Sequence, residues 1–528
     1  MTESAQGRRR PRFASNINSG SGAELMLVTA AIALQVLLSS LDATIIGTAM
    51  PTVVAALGGL NMYSWAFASY LLATMVATPI AGKLCDAYGR RRLFLIGICI
   101  FLAASWLCGL SQNMAQLIGF RGVQGLGGGT MFSASLTLIG VLFPAEKRAR
   151  MQGFMSALWA ISSIFGPLVG GFVVEHLSWR WVFYLNVPLG FVSIAFIWRN
   201  LHEPPLARNA AMPHPDFAGA AFLVAGLTLT LITLMEVEMA GGAKFVMLAC
   251  GIASLIAFAF IEQRAADPIL PLALFRRRSF FAANALTLCT GMAFFGLVTF
   301  VPLFVQGVLG RSAQFAGTTI LPLSISWASG ALTSSRLLNR FGYRSVAVLG
   351  GALMVIGSWL QIHIHENTAI ELIFLYPFFV GYGMGLATNS LTAAVQNTAP
   401  SEQMGVATAS TIFSRVLGAV VGVSVMGSIL SHRLADRLSQ IVSASNANGS
   451  ASQLAMLTNP RLLLRPETRQ MIPAEHLPAV QHALAVGLEG AFVVGLVAAC
   501  GGLLFSFMMP HQTPLEHAGQ ARVLASER

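Results

Sequence analysis

Apolar runs of about 20 residues recur along the whole chain, separated by short polar connections. A helix of about that length crosses the hydrocarbon core of a bilayer. The composition agrees, because 55% of the 528 residues are hydrophobic and 10% are charged, whereas a soluble protein carries about 25% charged residues. A membrane β-barrel would require alternating strands of about 10 residues, and the sequence shows no such pattern. The chain is therefore predicted to be an all-α polytopic membrane protein.

The apolar runs predict fourteen membrane-spanning helices. Pro51, Pro302 and Pro377 lie within or directly after predicted spans and are expected to kink them, because proline lacks a backbone donor. The predicted spans are 25–50, 63–82, 93–111, 116–142, 151–174, 181–199, 217–236, 244–262, 281–306, 315–334, 345–363, 370–396, 404–430 and 484–509.

Charge and cysteine content exclude several other classes of protein. The formal net charge is +11, but the basic residues are distributed over short loops, so we expect no nucleic-acid partner. Five of the six cysteines lie inside apolar runs without metal-type spacing, which predicts neither a disulfide framework nor a metal site. Leu25 begins a full span, so no cleavable signal peptide is expected.

Lysine and arginine concentrate in alternate loops, which predicts the orientation in the membrane. Placing these loops on the cytoplasmic side leaves only Arg180, Lys244 and Arg311 in the short outside loops. Both termini are therefore expected in the cytoplasm, and the protein is expected in the inner (plasma) membrane.

Two charged segments divide the chain into related halves. The segment 82–92 joins the second and third spans, and a similar segment, 335–344, follows 253 residues later. Gly89 then falls on Gly342, and Arg91 falls on Arg344. Six helices with their connections need roughly 190 residues, so the surplus accommodates two additional helices.

The predicted organisation is a six-helix bundle, two additional central helices and a second six-helix bundle. The predicted parts are a cytoplasmic tail 1–24, a first bundle 25–199, a cytoplasmic linker 200–216, two extra helices 217–262, a cytoplasmic linker 263–280, a second bundle 281–509 and a cytoplasmic tail 510–528. The second bundle includes an outside loop, 431–483, for which two interpretations stay open. It docks a periplasmic adaptor protein, or it is an insertion without a partner.

Asp42 is the acid that lies deepest within a predicted span. An ionised carboxylate costs several kcal/mol there and by default marks a proton or cation pathway. Burial favours the neutral carboxyl, so alternating access to the two sides of the membrane could load and unload a proton. The structural alternative is a carboxyl held by hydrogen bonds from a neighbouring helix.

Other charges within or near the spans also require an explanation. Arg121 in the fourth span keeps its proton and needs partners, which are either Asp42 in one conformation or helix carbonyls alone. Arg415 in the second bundle has a substrate-binding and a structural interpretation of equal weight. Glu236 and Glu238 lie at the end of a span, where they face water or contact a cationic substrate.

Two glycine-containing segments suggest conformational functions. The turn between spans two and three is a candidate gating loop, in which an acid and basic residues hold helix ends in one state and release them in another; its residues are Gly82, Asp86, Gly89, Arg90 and Arg91. The fifth span contains small residues and a proline that permit close helix contact and bending; they are Gly153, Gly166, Pro167, Gly170 and Gly171.

Together these residues resemble the major facilitator superfamily, specifically its fourteen-helix drug:proton antiporter branch. The gating loop matches the family's loop motif, and the fifth-span glycines match its antiporter motif. The first-helix motif is matched by Leu41, Asp42, Thr44, Ala49 and Pro51, with Gly47 where asparagine is usual. The fourth-helix motif is matched by Arg121, Gln124, Gly125 and Gly127. Residues 179–190 look like the signature that follows the fifth helix in this branch.

The resemblance implies a multidrug efflux transporter rather than an enzyme. Two six-helix bundles would rock about a midplane cavity. Protons entering from outside would protonate Asp42 and drive export of amphipathic drugs or toxic compounds, a route to antibiotic resistance that needs no cofactor. The implied partners are the lipid bilayer, protons and a small amphipathic substrate. The alternatives are a proton-coupled exporter or importer of one endogenous metabolite, such as a siderophore, and a non-transporting receptor or scaffold.

Overall fold

The structure is a computed structural model that describes residues 22–143, 145–203, 216–235, 241–265, 272–398, 404–445 and 477–509. Several predicted features lie outside these residues. They are Glu236, Glu238, and most of the linker 200–216, of the loop 431–483 and of the two terminal tails.

In the first half of the chain, most of the described residues are helical. Its helices are α1 Gly22–Leu57, α2 Trp65–Tyr88, α3 Arg90–Leu110, α4 Met114–Leu142, α5 Ala145–His176, α6 Trp181–Tyr184 and α7 Asn186–Asn200. A 3₁₀ turn, Leu60–Met62, connects α1 to α2. The short α6 and α7 together occupy the predicted span 181–199.

The remaining helices follow the predicted order. They are α8 Phe217–Met235, α9 Gly241–Arg264, α10 Leu272–Phe275, α11 Arg278–Leu303, α12 Ala313–Gln361, α13 Ile370–Thr398, α14 Met404–Ser445 and α15 Leu477–Ser506. The predicted spans 315–334 and 345–363 are the two parts of α12, which Gly342 interrupts with a φ of 78°. A π-helical turn, Phe304–Val308, continues α11 after Pro302. Helix α14 extends to Ser445, well past the predicted end at 430.

Among the described residues, 11 helices are long and apolar enough to cross a membrane. Helix α4, helix α8 and the first part of α12 are not in this set. In α4, the polar Arg121 and Gln124 and a run of glycines lower the mean hydropathy, and in α8 the apolar stretch is short, Ala218–Thr233. The prediction of an all-helical, multi-pass membrane protein is confirmed, whereas the number of fourteen spans stays a prediction.

Helix packing repeats between the two halves. A side chain at Gly127 of α4 would collide with the backbone oxygen of Gly97 in α3. In the second half, a side chain at Gly383 of α13 would collide with the backbone oxygen of Gly350 in α12. Gly97 and Gly350 are separated by the same 253 residues as the two charged segments. Equivalent helices of the two halves therefore pack through close glycine contacts, although Gly127 and Gly383 are 256 residues apart rather than 253.

Among the described residues, the two halves contact each other chiefly where α1 packs against α11, α2 against α14 and α5 against α12, and α1 also contacts α12. Helix α8 packs against both α2 and α14 and forms a hairpin with α9. Its residues Leu223 and Leu227 share an apolar cluster with Leu72 of α2 and Val420 of α14. The additional helices therefore cover one seam between the halves.

The helices end on two opposite faces of the molecule. We name the hinge face after the turn at Gly89 between α2 and α3, where Glu203, just after α7, also lies. The opposite or far face contains the α1–α2, α3–α4 and α5–α6 connections, where Arg180 donates a hydrogen bond to the Ser111 carbonyl.

Candidate functional site

Asp42 and Arg121 form a buried ion pair inside the first half. Arg121 Nη1 lies 2.6 Å from Asp42 Oδ2, and each side chain is only 1% exposed. The same nitrogen donates to Gln124 Oε1 at 2.8 Å, one helical turn further along α4. Arg121 remains charged at any physiological pH. Without the ionised carboxylate of Asp42 beside it, its guanidinium would be an unpaired charge in an apolar interior.

Neutral donors complete the surroundings of the carboxylate. Gln124 Nε2 donates to Asp42 Oδ1 at 2.9 Å, and Asn186 Nδ2 donates to the same oxygen at 3.4 Å. Asn186 and Gln124 also donate to Ser105 Oγ, at 2.9 and 3.3 Å. The contacts from Arg121, Gln124 and Asn186 each donate a hydrogen to the carboxylate, so the arrangement fits an ionised Asp42.

Arg121 has further partners on α2. Its Nε donates to the Ala66 carbonyl at 3.3 Å, and its guanidinium carbon lies 4.2 Å from the centre of the Tyr70 ring. The cation–π contact adds to the ion pair, and Asp42, Arg121 and Tyr70 are all buried. The site therefore joins five helices of one half: α1, α2, α3, α4 and α7.

The sequence alone indicates the two charges but not all of their partners. Gln124 belongs to the fourth-helix motif, and Asn186 lies in the signature 179–190. Ser105 and Tyr70 belong to neither motif. A serine, a tyrosine or an asparagine in an apolar run occurs often in packed membrane helices, so no local signal separates these residues from ordinary packing.

The candidate gating loop is shorter than predicted, because α2 continues to Tyr88 and α3 begins at Arg90. Gly89 alone makes the turn, with a φ of 92° that favours glycine. The backbone amides of Arg90 and Arg91 each donate to Glu203 at 3.1 Å. A carboxylate at the start of a helix is favourable because the amides and the helix dipole are positive there.

The gating loop also contacts α7, since Arg91 Nη2 donates to the Trp198 carbonyl at 2.6 Å. Gly82 lies one and a half turns before the end of α2, near Ser133 of α4. The side chain of Asp86 lies outside the described residues. In this conformation the loop is fastened to its own half by Glu203, an acid that the sequence analysis assigned only to a linker.

The glycines of α5 allow it to approach two other helices. A side chain at Gly166 or Gly170 would collide with Thr44 or Thr48 of α1, which carries Asp42. On the opposite side of α5, a side chain at Gly171 would collide with the backbone of α12. Pro167 contributes its carbonyl to this second contact, and Gly153 lies about 20 Å earlier along α5.

Arg415 lies in the other half and outside this network. It is half-buried on α14, and its carbonyl oxygen lies against Gly291 of α11. Within the described part of the chain, its guanidinium has no hydrogen-bond or ion-pair partner. The structure therefore joins Asp42 to Arg121 and leaves Arg415 apart from both.

Comparisons with known proteins agree with this architecture. The model of the Major Facilitator Superfamily matches residues 32–423. The "Multidrug transporter protein MdtP" of Bacillus subtilis (strain 168) is 34% identical over 515 residues, which cover 93% of this chain and 94% of that protein. "Multidrug resistance protein 3" of the same organism is 32% identical over 90% of this chain and 93% of its own length.

Among solved structures, a bacterial homolog of the human lysosomal transporter Spinster, in an inward-facing and unoccupied conformation, matches with a TM-score of 0.61. The match covers 94% of this chain and 100% of that chain at 16% identity. At this identity the likeness shows the fold alone.

Proposed function

This chain belongs to the Major Facilitator Superfamily of transporters, and we propose that it exports amphipathic drugs or toxic compounds in exchange for protons. Two relatives with names that state multidrug transport or resistance match at least nine-tenths of the chain. The observation that carries the proton half of the proposal is the buried Asp42–Arg121 pair, because ionisable residues inside a membrane span are costly and by default mark a proton or ion pathway.

Proton uptake by Asp42 would neutralise its carboxylate and so remove the ion pair with Arg121. A protonated carboxyl no longer balances Arg121, whose guanidinium would remain charged in an apolar interior. Leaving one buried charge unpaired costs about 3–5 kcal/mol, which is enough to shift a conformational equilibrium by several powers of ten. Protonation would therefore favour a rearranged state, and proton release would restore the network seen here.

Helix α1 provides a direct connection from this site to the seam between the halves. Asp42 precedes Thr44 and Thr48 on α1, and these threonines pack against the glycines of α5. Helix α5 in turn packs along α12 of the other half, where Trp159 and Trp327 meet with ring centres 4.6 Å apart. A displacement of α1 at Asp42 would thus reach the interface that must move during alternating access.

The proposed function also requires an orientation of the protein in the membrane. The hinge face carries the loops rich in lysine and arginine, so we assign it to the cytoplasm, with fourteen spans in an inner membrane. Protons would then reach Asp42 from the far face. Substrate would enter from the hinge face, because the hydrogen bonds of Gln306 that join the halves lie near the far face.

The test is transport by purified protein in proteoliposomes under an imposed pH gradient. A panel of lipophilic cations and anionic amphiphiles is supplied to the wild type, to Asp42→Asn and to the matched control Glu371→Gln, an exposed acid at the start of α13. We expect gradient-driven export by the wild type and the control and none by Asp42→Asn. Undiminished gradient-driven export by Asp42→Asn would refute the role of Asp42, and no export of any compound by the wild type would refute multidrug export.

A further inference from the structure

Helices α1 and α11 approach each other closely near the far face. A Cβ atom at Gly47 of α1 would lie 2.7 Å from the carbonyl oxygen of Val298 in α11. Pro51 and Pro302 each follow this point by four residues and lack the amide hydrogen that would bond to the carbonyl of Gly47 or Val298. Two helices interrupted in the same way therefore cross at a glycine, and no side chain at position 47 can bridge them.

Gln306 of α11 provides the polar link at this crossing. Its Nε2 donates to the Thr48 carbonyl at 2.9 Å, and its Oε1 accepts from Thr52 Oγ1 at 3.4 Å. The side chain is 5% exposed. A second bond joins the halves nearby, since Tyr63 Oη donates to the Thr299 carbonyl at 2.7 Å.

The local backbone places Gln306 in this position. It lies in the π-helical turn Phe304–Val308 that follows Pro302, and all five residues of this turn are buried. A π-turn rotates the side chains that follow it relative to a regular helix, and such turns are frequent at functional sites. Here it directs an amide from one half to the backbone of the other half.

We propose that Gln306 is the positioning residue that holds the far face closed in this conformation. The inference rests on the proposed transport function, in which the far face must open once in each cycle. Opening would separate α1 from α11 and break both bonds of the buried amide. Thr48 lies less than two turns after Asp42 on α1, so the same helix carries the proton site and the acceptor of the closing bond.

The test measures closure of the far face directly. Spin labels are attached at Met62, in the α1–α2 turn, and at Asn367, in the α12–α13 connection, in a variant without the six native cysteines. Both positions are exposed on the far face and belong to different halves. Pulsed electron paramagnetic resonance on the purified protein, without substrate, then gives the populations of short (closed) and long (open) distances.

The decisive variant is Gln306→Met, which keeps the length of the side chain and removes the amide. Gln116→Met is the matched control, because Gln116 Oε1 accepts from the Gln112 backbone amide at 3.0 Å on the same face but within one half. We expect Gln306→Met, which removes both bonds, to raise the ratio of open to closed molecules at least about five-fold, the shift that one net hydrogen bond supplies. The control is expected to leave this ratio unchanged.

Identical distance distributions for wild type and Gln306→Met, or an equal shift in the control, would overturn the proposal. If Gln306→Met does not fold, Thr52→Val removes the longer of the two bonds with little change of shape, and a shift of about two-fold in the same direction is expected. No shift in Thr52→Val would then count against the proposal. The measurement needs no substrate, so a failure of drug export in proteoliposomes would be distinguishable from a failure of this inference.

Discussion

The ion pair between Asp42 and Arg121 predicts that its two partners respond differently to removal. The perturbation is a cycle of three variants: Asp42→Asn, Arg121→Gln and the double variant. The paired atoms lie 2.6 Å apart, with both side chains 1% exposed. Removing one partner of such a pair leaves the other charge buried, so each single variant is expected to lose about 3–5 kcal/mol of unfolding free energy.

The two single variants differ in whether the charge that remains buried can be neutralised. In Arg121→Gln the carboxyl of Asp42 can take up a proton, so the loss of stability is expected to shrink as the pH falls. In Asp42→Asn the guanidinium cannot release its proton, so the loss is expected to stay constant with pH. The double variant removes both charges and is expected to recover at least about 2 kcal/mol relative to the sum of the single losses.

The assay is denaturant unfolding in detergent micelles, followed by tryptophan fluorescence at several values between about pH 5 and pH 8. Glu371→Gln, an exposed acid, serves as the matched control and is expected to change the unfolding free energy by less than about 0.5 kcal/mol. Losses that add in the double variant, and that are independent of pH in Arg121→Gln, would refute the conclusion that this pair is a coupled, titratable unit.

Three further predictions concern other parts of the structure. Asn186→Ala removes a donor to the buried carboxylate and is expected to lower the initial rate of gradient-driven export about five-fold, a change checked in proteoliposomes and contradicted by an unchanged rate. Gly171→Ala would press against α12 and is expected to cost about 1–3 kcal/mol in denaturant unfolding, whereas Gly119→Ala, with nothing within 4 Å, is expected to be neutral; equal effects would contradict this. A hydrogen bond from its own backbone, followed in importance by the contact with His482, holds the pKa of Glu366 below its usual value. The ionised side chain therefore stabilises the folded protein above the usual glutamate pKa, and this stabilisation is lost as the pH falls through the lowered pKa. Glu366→Gln is therefore expected to destabilise the protein at neutral pH and not in strong acid, and a pH-independent difference in thermal unfolding would exclude this.

The sequence predicted the charged residues of the site because charge is rare inside apolar runs. Asp42 and Arg121 were recognisable for that reason, and the structure places them in direct contact. Their neutral partners were not recognisable, because Ser105 and Asn186 fit equally well into ordinary helix packing. Only the three-dimensional arrangement of α3 and α7 shows that Asn186 donates both to the carboxylate of Asp42 and to the hydroxyl of Ser105.

Helix order was also predictable, but local interruptions were not. The two charged segments were expected to be loops, whereas each is reduced to one glycine with positive φ, Gly89 and Gly342. Hydrophobicity cannot distinguish a one-residue turn between two helix ends from a loop of several residues, because the sequence around the turn is polar in both cases. The π-turn at Gln306 follows a proline that was expected to kink its helix, yet its direction and partners depend on α1, 254 residues earlier in the sequence.

In the proposed function, protons move through Asp42 in the direction opposite to the substrate. The most direct measurement is proton flow itself, recorded with a pH-sensitive dye enclosed in proteoliposomes while substrate is added on the side of the hinge face. We expect a substrate-dependent proton movement in the direction opposite to substrate transport, present in the wild type and in Glu371→Gln and absent in Asp42→Asn. Substrate transport by the wild type without any accompanying proton movement, or proton movement that persists in Asp42→Asn, would contradict the proposed function.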